Sequence, residues 1–184
     1  MGQAMDTDPV ITNTQRWLER AVIGLNLCPF AKAVHVKQQI HYAVSRAVGH
    51  ADIREDLVAE LHGLVAHDAA VRDTTLLILP DALPDFLDFN DFLGVADRTL
   101  AKLKLDGVVQ IASFHPAYQF ADAAPDDMAN CTNRAPYPIL HLLREASVAR
   151  AVAAFPEAES IYERNIATLQ KLGPAGWAAL GLAA

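Results

Sequence analysis

The sequence predicts an α/β (or α+β) fold: a small parallel or mixed sheet of three to four strands packed with helices, followed by further C-terminal helices. Three observations lead there. Stretches of strand-like and helix-like periodicity alternate in the order strand, helix, strand, helix, strand, which favours right-handed crossovers whose helices cover the sheet. A chain of 184 residues can bury most of its apolar surface around one core without disulfide or metal support. Its composition, 52% hydrophobic and 20% charged, can offset the entropy lost on ordering. The expected division is a flexible leader over residues 1–12 and a single domain over 13–184.

The elements follow in order. Asn13 or Thr14 is placed to cap a first helix whose Trp17, Leu18, Val22 and Leu25 recur at helical spacing, and Pro29 ends or redirects it. From Val34 to Val44 the pattern changes to alternation, with Val34, Val36, Ile40 and Tyr42 opposite His35, Lys37, Gln39 and His41, which reads as a strand with one wet face. Asp52 opens a helix that buries Ile53, Leu57, Leu61, Leu64 and Val65. Thr74 to Leu79 is a short buried strand cut off by Pro80. Phe86 to about Leu105 is a third helix broken by Asp106 and Gly107, and the apolar run Val108 to Phe114 reads as a strand covered on both faces. After a long polar connection, Pro138 starts a helix through Ile139, Leu140, Leu142 and Leu143, and Pro156 opens another that stops at Gly173.

Charge and patterning exclude several classes. A net charge of −7 and a pI near 5.4 are wrong for a surface that gathers phosphate backbones, so nucleic acid is not expected as a partner. The longest apolar runs fall well short of the roughly 20 residues that a membrane helix needs, so no membrane partner is expected. The first residues carry no signal-peptide pattern, which predicts a cytoplasmic protein with Cys28 and Cys131 as free thiols. No dinucleotide-binding or phosphate-loop glycine pattern and no nucleophile elbow is present; the cofactor therefore stays unassigned.

Polar chemistry is concentrated between His115 and Glu145. His115 follows the most apolar strand, where open α/β sheets place ligands, and is either a proton-transfer group or a buried imidazole bonded to backbone. Tyr118 stands beside it in FHPAYQF. In NCTNRAPYP, Arg134 carries a fork suited to carboxylate or phosphate, while Asn130 and Asn133 either donate to a ligand or close turns. On the expected helix, His141, Arg144 and Glu145 share a flank at spacings of three and four, as a site or as an intrahelical pair. Cys28, before Pro29, is a nucleophile if the chain opens a helix there and an inert thiol otherwise. Cys28, His115 and His141 are acceptable metal ligands by type, but no close-spaced pair anchors them and no metal is assigned.

WLERAVIGLNLCPFA, FHPAYQFAD and NRAPYPILHLLRE together resemble a bacterial domain-of-unknown-function family of about this length. The likeness runs from Trp17 to the segment containing Glu145, and it implies no activity, substrate or cofactor. It directs attention to Cys28, His115, Asn130, Asn133, Arg134, His141, Arg144 and Glu145.

The functional expectation is an intracellular pocket protein acting on a small-molecule anion: Arg134 and Arg144 hold the anion, His115 or His141 moves protons, and Cys28 serves any covalent step. Two alternatives stand beside it. One is a non-catalytic binding or assembly module in which the same arginines and asparagines pin loops, and the other is a metal-dependent Cys/His hydrolase or redox protein.

Overall fold

A computed structural model describes residues 8–182. Its centre is one four-stranded mixed sheet with strands β1 (Ile40–Val44), β2 (Thr74–Ile78), β3 (Val109–Phe114) and β4 (Ile139–Arg144), in the spatial order β1-β2-β4-β3. β1 and β2 are parallel, and β4 runs antiparallel between β2 and β3. The ends of β1, β2 and β3 and the beginning of β4 therefore lie at one end of the sheet.

Helices cover both faces. On one, α3 (His50–Ala66) and α4 (Phe86–Lys102) bury Ile53, Leu57, Leu61, Leu64, Phe89, Phe92 and Ala96 against Leu77, Leu79, Leu140 and Leu142. On the other lie α1 (Pro9–Trp17), a π-helical segment Leu18–Ile23 and the short α2 (Ala31–Val36). There Trp17, Leu18, Ala21 and Val22 pack on Leu76, Ile78 and Ile139. The chain closes with α5 (Glu145–Ala153) and α6 (Ile161–Ala179), which is kinked at Gly173 (φ 67°), the stop that its sequence predicts.

Five expectations are corrected. Residues 9–12 are not leader: α1 begins at Pro9, with Asp8 accepting from the Val10 N–H at 2.9 Å, while residues 1–7 lie outside the described part. The strand expected from Val34 is helical up to Val36 and extended only from Ile40, because Gln38 adopts φ 56° and turns the chain between them. His35 thus leaves the sheet for α2, and His41 faces α3, 3.5 Å from Glu60.

The helix expected after Pro138 is strand β4, paired on both sides, so His141, Arg144 and Glu145 share no helical flank. This insertion also moves β3 to the sheet edge. Its residues beyond Val109 are only half-buried, not covered on both faces as its apolar run predicts.

Three helix ends follow one rule. Asn26, Gln38 and Lys104 all have φ between 53° and 58°, and the amides around them fold back in paired bonds, as Lys104 to Ala101 (2.9 Å) and Leu105 to Leu100 (3.1 Å) after α4. These are Schellman closures with a left-handed residue other than glycine. The helix expected to reach Leu105 therefore stops at Lys102, before Gly107.

Candidate functional site

The segment from His115 to Arg134 folds back on itself through its polar side chains. His115 is 1% exposed and packs against Phe86 and Phe89. Its Nδ1 accepts from the Ala117 N–H (3.0 Å), so the proton sits on Nε2 and is donated to the Leu83 carbonyl (3.0 Å). Burial pushes this imidazole below its ordinary pKa. Both ring nitrogens are committed, and they tie the loop after β3 to the loop after β2.

Asn130, fully buried, accepts from the Phe120 N–H and donates to the Ala124 carbonyl; Asn133 donates to the Ser113 carbonyl. Arg134 donates to the carbonyls of Tyr118 (3.2 Å) and Pro125 (2.7 Å). The Tyr118 ring packs at a tilt against Phe86 and edge-on against Phe120.

The remaining predicted residues are elsewhere. Arg144, the last residue of β4, donates to the carbonyls of Leu64, His67 and Arg72, whereas Arg134 precedes the strand, so the two arginines lie toward its opposite ends. Glu145 begins α5, its amide bonded to Val108. His141 is on the middle row of the face under the N-terminal helices, aligned with Leu76 and Ala112. The Thr74 hydroxyl donates its proton to the Leu142 carbonyl (2.7 Å) and so accepts from His141 Nε2 (2.6 Å). Burial pushes this imidazole down to about 4, which keeps it neutral.

Cys28 precedes α2, half-buried against the cluster of Trp17 and Ile139; burial raises its pKa, opposed by the amides of Phe30 and Ala31, so it stays a thiol at neutral pH. Among the described residues no three His, Cys, Asp or Glu side chains form a group that could hold a metal ion.

What sequence reasoning missed lies in two places. Beneath the π-helical segment, His35 Nε2 is 3.4 Å from Glu19 Oε1, and the buried Tyr42 hydroxyl has no hydrogen-bond partner among the described residues. Burial and the Glu19 charge push Tyr42 up to about 12. No periodicity signals this group, because α2 reads as strand.

The second place is a hollow of about 450 Å³ where β2 and β3 end and β4 begins. Pro80, Asp81, Ala82 and Pro84 form one side, Pro116 another, and Pro136, Tyr137 and Pro138 the third. Its frame is held from behind: His115 bonds Leu83, which sits between Ala82 and Pro84 in the left-handed region at φ 53°. Asn13 of α1 donates to the Tyr137 hydroxyl at 2.9 Å. Asp81 Oδ2 takes Arg46 Nη1 at 3.2 Å, and Arg46 Nη2 also reaches Asp8 Oδ2 at 2.9 Å. The signal for it was present in PDALP and PYP, two proline-bounded segments that neither a helix nor a central strand can contain.

No helix among the described residues is long and apolar enough to cross a membrane. No curated protein and no solved structure matches the chain. One family does, over residues 9–179, and so nearly the whole described chain belongs to a family of proteins of unknown function, DUF1415.

Proposed function

We propose that the chain is a binding protein for a small organic molecule, held in the proline-walled hollow at the carboxyl ends of β2 and β3. The observation that carries this is the hollow itself. It has the size usual for ligand pockets, a mostly apolar wall with few polar groups, and the place in the fold where open α/β sheets receive ligands. The left-handed backbone at Leu83, between the lining residues Ala82 and Pro84, fits a frame shaped by more than packing alone.

His115, Arg134, Asn130 and Asn133 then serve as braces. Their hydrogen bonds run to backbone, which supports the module reading over an anion site with histidine acid–base catalysis. Arg144 and His141 offer an anion no better support, being bonded to carbonyls and to Thr74. A cytoplasmic setting goes with this reading, since both cysteines are free.

The test is a thermal-shift screen of small molecules on wild type and on Pro84→Trp, which adds bulk at an exposed rim position. Expected are compounds that raise the wild-type melting temperature, as ligands of the folded state do, and that lose the effect in Pro84→Trp. A screen without hits, or hits that ignore the tryptophan, would overturn the proposal.

A further inference from the structure

Five of the eight residues lining the hollow are proline, and a proline has no N–H to offer. Of the rest, Ala82 turns its amide toward the Leu79 carbonyl. An anion entering here would find few donors, whereas anion sites are built from convergent N–H groups or free guanidinium forks. The hollow therefore offers few donors and a mostly apolar surface.

Its one charged lining residue is Asp81. Arg46 does not cancel that charge, because one guanidinium is shared between Asp81 and Asp8. Both members of the Arg46–Asp81 pair are well exposed, at 55% and 44%, so the pair is screened by water and yields readily. Arg46 meets only the Oδ2 of Asp81, and no other described residue bonds its Oδ1. Nearby, Arg16 is bonded to Asn13 at 3.5 Å, and Asp85, beyond Pro84, caps α4 and adds a further negative charge.

Resting on the reading of this hollow as the ligand site, we infer that its ligand is a small organic cation: an amine or amidine on a flat apolar body. The charged head pairs with Asp81, and the body lies on the proline rings and Tyr137. This reverses the charge that Arg134 and Arg144 suggest in the sequence.

A matched trio of probes tests it: benzylamine, benzyl alcohol and benzoate, which share one ring and differ in head-group charge at pH 7. Binding is followed by NMR titration on wild type, Asp81→Asn and Pro84→Trp. Expected is benzylamine binding at least about tenfold tighter than benzoate, a preference that shrinks with added salt. Asp81→Asn removes the carboxylate and frees Arg46 from it, so the preference should vanish or turn toward benzoate while benzyl alcohol is unaffected. Benzoate binding as well as benzylamine, or an amine preference that survives Asp81→Asn, overturns the inference and leaves the hollow as a site. Probes that fail to bind wild type, or bind Pro84→Trp equally well, sink the hollow and the charge preference together.

Discussion

At the scale of residues, the polar side chains that look most like a site are spent on backbone. Arg144 gathers the carbonyls of Leu64, His67 and Arg72, groups left over where α3 ends and the chain turns into β2. Asn130 and Arg134 do the same for the turns after β3. A buried carbonyl without a donor costs about 1–3 kcal/mol, so long connections recruit amide and guanidinium side chains as readily as ligands do. The types of these residues were legible in the sequence, but their partners were not, because carbonyls carry no letter. His141 gives a measurable case. Its pKa falls from 6.5 to about 4 on burial, so over that window the unfolded chain binds a proton that the folded chain refuses. The stability it contributes is complete above about 6.5 and is lost as pH falls through about 4, at most about 3 kcal/mol at 1.36 kcal/mol per unit. His141→Gln, which can still donate to Thr74, should therefore lose less stability than wild type between pH 7 and 4.5 in urea unfolding. His115, also shifted down, supplies part of the slope that remains. Equal losses in the two proteins would mean that His141 titrates normally.

At the scale of elements, α3 and α4 were legible because each has a helical period, with Gly49 before α3 and the Asp85 cap of α4, which accepts from the Leu87 N–H at 2.8 Å; β2 has no period and was legible from its β-branched start and the Pro80 that cuts it off. β4 was misread because ILHLLR is a short run apolar on both faces, and neither period applies to a strand buried between two helical layers. Helix ends were misplaced for a different reason. Gln38 and Lys104 hold left-handed closures without the glycine that normally announces them, and a non-glycine residue there costs about 1 kcal/mol or more. Lys104 is the better place to measure that cost, since it follows α4 directly and precedes the turn into β3. Lys104→Gly should stabilise the protein by about 0.5–1 kcal/mol, offset in part by the added freedom of the unfolded chain. The reading is a higher urea midpoint with an unchanged slope. A lower midpoint would show that the lysine side chain stabilises the turn by more than its backbone strain costs.

At the scale of the molecule, the two ends of the chain cover the same sheet face. Trp17, Leu18 and Val22 from the N-terminal helices meet Trp177 and Leu180 from the end of the chain over Ile78 and Ile139. Behind them Leu169 of α6 is fully buried against Leu27 and Cys131, Asn165 donates to the Leu27 carbonyl at 2.8 Å, and Arg20 reaches the Leu180 carbonyl at 2.8 Å. The 3₁₀ turn Met128–Asn133, which contains Asn130 and leads into Arg134, also packs against α6. The brace behind the hollow is thus continuous with a helix that follows it by about a fifth of the chain. Such an arrangement should unfold as one unit, with no separate transition for the C-terminal helices. Leu169→Ala is the sharp test, because it removes one fully buried side chain from the contact between α6 and the rest. It should lower stability by about 2–5 kcal/mol and keep the signals of secondary structure and of tryptophan fluorescence coincident, since both report the same transition. If the two signals separate, or the substitution costs almost nothing, α6 is an appendage. The turn that carries Asn130 and leads into Arg134 would then have to be held by its own hydrogen bonds alone.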